Sequence, residues 1–83
     1  MMSKILKLWL ISQSENRGHD SFDSAVVAAY TEGEARQINP DGEWKLYIYT
    51  AWCSSPDKVH VEYLGIATEG VEPGIVLSSF NAG

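Results

Sequence analysis

The sequence predicts an α+β fold: a small mixed sheet of four to five strands with one short helix, in the chain order β-β-α-β-β-β. Three observations predict it. Apolar and polar residues alternate in several segments with the period of two that is typical of strands. One capping-box sequence marks the start of a helix. Clusters of Gly, Pro, Asn and Asp separate the segments. At 83 residues, the chain is expected to form a single domain over residues 1–83.

The first predicted strand, residues 4–13, is expected at the centre of the sheet. Leu8 and Leu10 alternate with Trp9 and Ile11, so both faces of this strand are apolar. Two apolar faces are typical of a strand that is covered on both sides. We therefore expect other parts of the protein to pack on each face of this strand.

A loop, a second strand and the helix are predicted to follow. Residues 14–21 are polar or small and lack periodicity, which indicates a loop, and the apolar run 25–30 indicates a strand. Thr31 and Glu34 have the spacing of a capping box, so the helix should begin at Glu32. The Asn-Pro-Asp-Gly sequence that follows should end this helix after roughly two turns.

The second half of the chain contains three further predicted strands. Residues 44–52, 59–67 and 75–80 combine alternation with many β-branched or aromatic side chains. Ser55 followed by Pro56 indicates one turn of helix, with Ser55 as its N-cap. A stretch with two Gly and one Pro precedes the last strand and is typical of a hairpin turn.

The chain is expected to form a homo-oligomer. One short helix covers at most one face of the sheet, so the other face must meet solvent, a second subunit or a partner. Ordering costs about 1.5 kcal/mol per residue, which a core of this size only just offsets. Cys53 is the one cysteine, so no disulfide within the chain adds stability. Three Trp, four Tyr and two Phe also make a bare sheet face unfavourable.

Composition argues against several functional classes. No apolar run approaches the ~20 residues of a membrane-spanning helix, and the first residues lack a signal-peptide cleavage site. Together with the single cysteine, these features indicate a cytoplasmic protein. The formal charge is −5 and there are only two arginines, which argues against duplex nucleic acid as a partner because phosphate neutralisation dominates that affinity.

Neither catalysis nor a bound cofactor is expected. The sequence contains no nucleotide-binding loop or nucleophile elbow, and Cys53, His19 and His60 lack the spacing of a zinc site. Cys53 is expected to be a small buried hydrophobic residue, and His60 to face solvent or an interface. Asp20 and Asp23 could hold Mg²⁺ or Ca²⁺, but the EF-hand pattern is absent, so no metal is expected. These residues could instead form turns and cap the following segment. A small metal-dependent enzyme that uses Asp20 and Asp23 remains an alternative.

Aromatic and arginine side chains favour binding of a small nucleotide-like ligand. Tryptophan and tyrosine supply flat apolar contact with a polar tip, and arginine binds phosphate through two hydrogen bonds. The predicted ligand-binding residues are Arg17, Asp20, Asp23, Arg36, Trp44, Trp52, Ser79 and Asn81. The alternative is that most of the aromatic residues fill the core and a subunit interface.

Negative charge is concentrated in residues 14–43, the acidic stretch. Seven Asp and Glu against two Arg give it a net charge of −5, so the rest of the chain sums to zero. Such a stretch could address a basic partner protein or a cation. It could also be a solvated loop and helix face.

Four segments resemble a family of small proteins from phages and prophage-carrying bacteria. They are residues 20–27, 34–40, 59–65 and 79–83, and the resemblance covers most of the chain. The resemblance implies a viral origin, and small acidic phage proteins without a catalytic motif often act by binding. Asn39 stands where the resemblance leads us to expect a histidine.

The expected function is that of a non-enzymatic phage-type protein that counteracts host defence. It would sequester a nucleotide-derived immune signal in pockets of a homo-oligomer, within the cytoplasm of the host cell. The alternative is an acidic inhibitor that binds a host defence protein directly. Sequestration predicts a pocket lined by Arg17 and Arg36, whereas direct inhibition predicts an affinity that falls steeply with salt.

Overall fold

The computed structural model describes residues 5–16, 21–42, 44 and 51–81. Its elements are strand β1 (Lys7–Ser12), strand β2 (Ser21–Ala29), helix α1 (Glu32–Gln37), a 3₁₀ turn (Pro56–Lys58), strand β3 (His60–Ile66) and strand β4 (Gly74–Asn81). The strands form one sheet in the order β3-β1-β2-β4. The predicted α+β fold, with a four- to five-stranded sheet and one short helix, is confirmed for these residues.

The described sheet is antiparallel, whereas a mixed sheet is expected from the sequence. β1 pairs with β2 and β3, and β2 pairs with β4, each in antiparallel orientation. Alternation of side chains fixes which residues share a face but says nothing about strand direction. The central position predicted for the first strand is confirmed, since β1 lies between β3 and β2.

Two strand boundaries differ from the predicted ones. β2 begins at Ser21 instead of Ala25, because Ser21 and Phe22 pair with Asn81 and Phe80 of β4. Residues 21–24 are polar except for Phe22, so the apolar run that predicts this strand does not extend to them. Most of the predicted strand 44–52 lies outside the described residues, and its described members Trp44, Ala51 and Trp52 are not in a strand.

A bulge interrupts the pairing of β3 with β1. Leu8 is opposite Gly65 and Trp9 is opposite Tyr63, so Leu64 is the extra residue of β3. Gly65 has φ +145°, a conformation that favours glycine and that bulges often require. The bulge keeps Tyr63 beside Trp9, where the two rings meet edge to face with centroids 5.4 Å apart.

The core lies on one face of the sheet. It is formed by residues of the sheet, of α1 and of the segment 51–59. Its members are Trp9, Ile11, Ala25, Val27, Ala29, Ala35, Trp52, Cys53 and Val59. The strand residues of this cluster are at alternate positions, as expected when one face of a sheet is buried. Residues 51–59 are called the covering segment. Together with α1, they cover this face of the sheet.

Both predicted caps are confirmed. The backbone N–H of Glu34 donates to Thr31 Oγ1 (3.1 Å), and α1 begins at Glu32. The Glu34 carboxylate accepts a hydrogen bond from the N–H of Tyr30 (3.1 Å), which is one residue before the cap. At the 3₁₀ turn, the Asp57 N–H donates to Ser55 Oγ (3.2 Å). Each cap satisfies an N–H that the short helix itself leaves unpaired.

Candidate functional site

Side chains of the acidic stretch hold the covering segment in place. The N–H of Ser54 donates to Glu15 Oε1 (2.7 Å), and the N–H of Ala51 donates to Asp41 Oδ2 (3.2 Å). An irregular segment has backbone groups without ladder partners, and these carboxylates supply acceptors for two of them. The hydrogen bonds from Ser54 lower the pKa of Glu15, because they stabilise its charged form.

Arg36 also forms hydrogen bonds to the covering segment. Its guanidinium donates to the carbonyl oxygens of Pro56 (3.4 Å) and Val59, and it forms an ion pair with Glu32 (3.3 Å) one helical turn away. Two backbone carbonyls at the 3₁₀ turn are thereby satisfied by one planar donor group. In this arrangement Arg36 is a structural residue of the covering segment.

A buried amide network ties the loop after β1 to β2. Gln13 is buried, and its side chain donates to the carbonyl oxygens of Phe22 (3.0 Å) and Asn16 while accepting from the Asn16 N–H (2.7 Å). The Asn16 amide in turn donates to the carbonyl oxygen of Trp52 (3.2 Å). Sequence reasoning misses both residues, because polar residues in a loop normally indicate solvent exposure.

Cys53 is a buried core residue, as the sequence predicts. Its side chain is fully buried, and its thiol donates to the carbonyl oxygen of Ser55 (3.4 Å). Burial raises the pKa of the thiol, because the thiolate would lose its hydration. A thiol that stays protonated is a weak nucleophile, so this site favours packing over covalent chemistry.

The second face of the sheet, here called the open face, differs from the core face. Alternation places Leu8, Leu10 and Ser12 of β1 on it, opposite to Trp9 and Ile11. From β2 it contains Ser24, Val26 and Ala28. From β4 it contains Leu77 and Ser79, which pair with Val26 and Ser24. In the part of the chain that the structure describes, α1 and the covering segment both lie on the opposite face.

The open face contains a hollow of about 190 Å³. Its lining combines aliphatic side chains with three serines and is made up of Leu10, Ser24, Ala25, Val26, Leu77, Ser78 and Ser79. None of these residues is charged. The lining can therefore offer apolar contact and hydroxyl hydrogen bonds to a neutral or weakly polar group.

A second hollow, of about 330 Å³, lies where β2 leads into α1. It is lined by Ala28, Ala29, Tyr30, Glu34, Ile38, Pro73 and Gly74. Glu34 is the only acid in this lining and already accepts the Tyr30 N–H. A carboxylate at the rim disfavours an anionic ligand, so this hollow does not suit a phosphate.

The structure separates the predicted ligand-binding residues. Arg17 and Asp20 lie outside the described residues. Trp52 is fully buried in the core, and Trp44 packs against that core, so both tryptophans fit the alternative prediction of a core role. Arg36 donates its hydrogen bonds to backbone carbonyls of the covering segment.

The remaining three predicted residues come from one end of the sheet. Asp23 is exposed on β2 at a register shift, next to Ser24 of the open-face hollow. Ser79 pairs with Ser24 and lines that hollow. Asn81 ends β4 opposite Ser21. Of the eight predicted residues, Ser79 is thus the one that the described structure places in a hollow.

The described residues contain no group of three His, Cys, Asp or Glu side chains that could hold a metal ion. Asp20 and His19, which belong to the alternative metal site with Asp23, lie outside those residues. His60 is exposed at the start of β3, as the sequence predicts. No helix within the described ranges has the length and apolar character needed to cross a membrane.

Comparison with known proteins identified no similar protein. No protein-family model, curated protein or solved structure matches the chain.

Proposed function

We propose that this is a non-enzymatic binding protein that holds a small ligand on the open face of its sheet. The observation that carries the proposal is the hollow there, in which Leu10, Val26 and Leu77 provide an aliphatic surface beside the hydroxyls of Ser24 and Ser79. Pockets that bind small molecules combine mainly apolar walls with a few polar groups that fix orientation. The open-face hollow has this composition.

The hollow suits the base or sugar part of a ligand better than its phosphate. A flat base can lie on the aliphatic side chains, while the hydroxyls of Ser24 and Ser79 can donate to or accept from its polar edge. No charged side chain lines the hollow, so phosphate groups would need cations from elsewhere. Arg17, four residues before β2 in the sequence, is the predicted residue for that role.

The resemblance to small phage proteins selects the ligand class to be tested first. If the chain counteracts host defence, a nucleotide-derived immune signal is a ligand with both a base and phosphates. Sequestration needs affinity and a sufficient number of sites, but no chemical step. This agrees with the absence of a catalytic motif in the sequence.

Native mass spectrometry of the full chain with a panel of cyclic mononucleotides, cyclic dinucleotides and ADP-ribose tests the proposal. We expect one panel member to add its mass to the protein in a fixed ratio. Ser24→Tyr, which fills the hollow, should weaken this binding at least about 10-fold by isothermal titration calorimetry. Ser14→Tyr adds the same ring to an exposed loop serine and should leave the affinity unchanged.

Two outcomes would contradict the proposal. One is that no panel member binds, and the other is that Ser24→Tyr and Ser14→Tyr bind equally well. Ser24→Ala removes only the hydroxyl and should lower the affinity by a smaller factor. This second variant keeps the experiment informative if the tyrosine at position 24 prevents folding.

Direct inhibition of a host protein through the acidic stretch has less structural support than ligand binding. Four of its carboxylates already have partners in this chain, namely Glu15, Glu32, Glu34 and Asp41. A structural role therefore accounts for much of the charge cluster. If this alternative applies, affinity for a basic partner should fall as salt rises, and Asp23→Asn on exposed β2 should weaken it.

A further inference from the structure

We propose that two copies of this chain pair through the outer edge of β4 and that this pairing completes the ligand site on the open face. The interface part of the inference stands on the geometry of β4 alone. The ligand part rests on the function proposed above. The two parts are separated in the experiments below.

β4 has the features of an edge that accepts another strand. It is the last strand in the order β3-β1-β2-β4, and no described strand pairs with its outer side. Gly74–Asn81 contains no charged residue, in a chain with a net charge of −5. Its apolar side chains are largely exposed, at 46% for Ile75, 50% for Val76, 68% for Leu77 and 48% for Phe80. Natural sheets usually protect such an edge with charges, proline or a bulge.

The opposite edge strand carries a charge. β3 contains Glu62, whereas β4 contains no charged residue, and the pairings of both edge strands contain bulges. In β4 the extra residue is Val76, and the second shift of this pair comes from Asp23 of β2. Leu77–Asn81 therefore contains no extra residue of its own and offers a short segment for pairing. The absence of charge favours β4 as the interface.

A second copy is the partner that this edge fits best. Antiparallel pairing of a strand with its own copy is self-complementary, so one patch forms both halves of the interface. A neutral strand also keeps like charges out of the contact itself, in a chain whose net charge is −5. The resulting two-fold axis stands perpendicular to the sheet, because the sheet continues through the pair.

The area available indicates a dimer of moderate affinity. At roughly 200 Å² for a whole apolar side chain, the exposed parts of Ile75, Val76, Leu77 and Phe80 offer about 400 Å² per copy. This is about half of the ~800 Å² per partner in a standard stable interface. Backbone hydrogen bonds between the two edges add to it, so we expect dissociation in the micromolar range.

Pairing through β4 places the two open faces on the same side of one eight-stranded sheet. Leu77 and Ser79 of the two copies then lie on that side, on paired strands about 5 Å apart. Each copy alone offers a hollow of about 190 Å³, less than the ~300 Å³ at which small-molecule pockets begin. Two adjacent hollows exceed that size together, and they favour a ligand with two similar halves, such as a cyclic dinucleotide.

Sedimentation velocity of the full chain without ligand tests the interface. Between about 1 and 200 µM, the wild-type protein should pass from monomer to dimer. Leu77→Lys places a charge at the centre of the proposed interface and should raise the dissociation constant at least about 10-fold. Leu64→Lys is the matched control, because Leu64 is a leucine with 46% exposure on the other edge strand, and it should dimerise like the wild type.

Amide hydrogen exchange of the wild-type protein locates the contact without any substitution. Raising the concentration should protect amides within 74–81 and leave those within 60–66 unchanged. A monomer at all concentrations overturns the inference, and so does a dimer whose protection falls on 60–66. Equal effects of Leu77→Lys and Leu64→Lys would also overturn it.

Ligand titrations then separate the two proposals. A β4-linked dimer that binds no panel nucleotide would leave the interface standing and contradict the proposed function. A monomer that binds a nucleotide with full affinity would support the proposed function and contradict the dimeric site. Binding of one cyclic dinucleotide per dimer, weakened by Leu77→Lys and unchanged in Leu64→Lys, is the result we expect.

Discussion

At the scale of single residues, Glu15 links the loop after β1 to the covering segment through the Ser54 N–H. Glu15→Gln keeps a side-chain oxygen at this position and removes only the charge. Because the pKa of Glu15 is lowered in the folded protein, its charge contributes stability above the ordinary glutamate pKa. That contribution is lost as the pH falls through the folded-state value.

The expected result is a variant that is less stable than the wild type at neutral pH. The difference in urea midpoint should begin to shrink as the pH falls below the ordinary glutamate pKa of about 4.3, and it should vanish below the folded-state pKa, where the wild-type residue is protonated in both states. Glu69→Gln, in an exposed turn, is the control for general loss of negative charge. A midpoint difference that does not change with pH would contradict the assigned role of Glu15.

Single-residue roles were only partly predictable from the sequence. Cys53 and His60 occupy the buried and exposed positions expected of them, because alternation and residue type decide burial locally. Arg36 was predicted to bind phosphate, and its actual partners are carbonyls 20 and 23 residues further along the chain. Only the folded chain brings such partners together. Sequence patterns therefore identified Arg36 as important without identifying its contacts.

At the scale of elements, α1 is short enough to depend on its cap. Six residues leave few internal hydrogen bonds, and Thr31 Oγ1 supplies the acceptor for the Glu34 N–H. Thr31→Ala should therefore lower the free energy of unfolding by about 1 kcal/mol in urea titrations. Thr31→Ser retains the hydroxyl and should stay close to the wild type. Equal losses in the two variants would show that the methyl group, and not the cap, matters.

The covering segment offers a second test at this scale. Arg36→Met keeps much of the aliphatic stem and removes the hydrogen bonds to Pro56 and Val59, which should cost about 1–3 kcal/mol. Glu32→Gln removes only the exposed ion pair and should cost no more than about 0.5 kcal/mol. Guanidinium unfolding of both variants measures the difference. Equal losses would mean that Arg36 acts through Glu32 and not through the segment.

Element boundaries were predictable where a local chemical signal marks them. The caps at Thr31 and Ser55 have such signals, and both helical turns begin where the sequence predicts. The polar start of β2 has none, because its pairing with β4 joins residues nearly sixty positions apart, as in Ser21 and Asn81. Long-range pairing of this kind follows from the whole fold and not from a window of sequence.

At the scale of the whole molecule, the sheet is built asymmetrically. From the sequence, both faces of the first strand are expected to be covered, because Leu8 and Leu10 are as apolar as Trp9 and Ile11. In the described structure, α1 and the covering segment lie on the core face. The apolar side chains of the open face are therefore available to a ligand or a second copy. Strand register, which unites Leu10, Val26 and Leu77 in one hollow, could not be read from the sequence.

Trp9 makes contacts across several strands of the described sheet. It lies on the central strand, donates its indole N–H to the carbonyl oxygen of Ala29 on β2 (3.0 Å), and meets the ring of Tyr63 on β3. Because one side chain connects three of the four described strands, its removal should affect global unfolding and not only a local opening. Trp9→Ala should lower the free energy of unfolding by about 3–5 kcal/mol.

Comparison with Trp9→Phe separates packing from hydrogen bonding in this prediction. Phenylalanine retains much of the ring volume and the contact with Tyr63 but loses the N–H, so the carbonyl oxygen of Ala29 loses a partner. We expect a loss of about 1–3 kcal/mol for that variant, clearly smaller than for alanine. Circular dichroism and urea unfolding of both variants measure the contributions of packing and of the hydrogen bond to the free energy of unfolding. A stable, cooperatively folded Trp9→Ala variant would mean that the core face is closed by contacts other than those of Trp9.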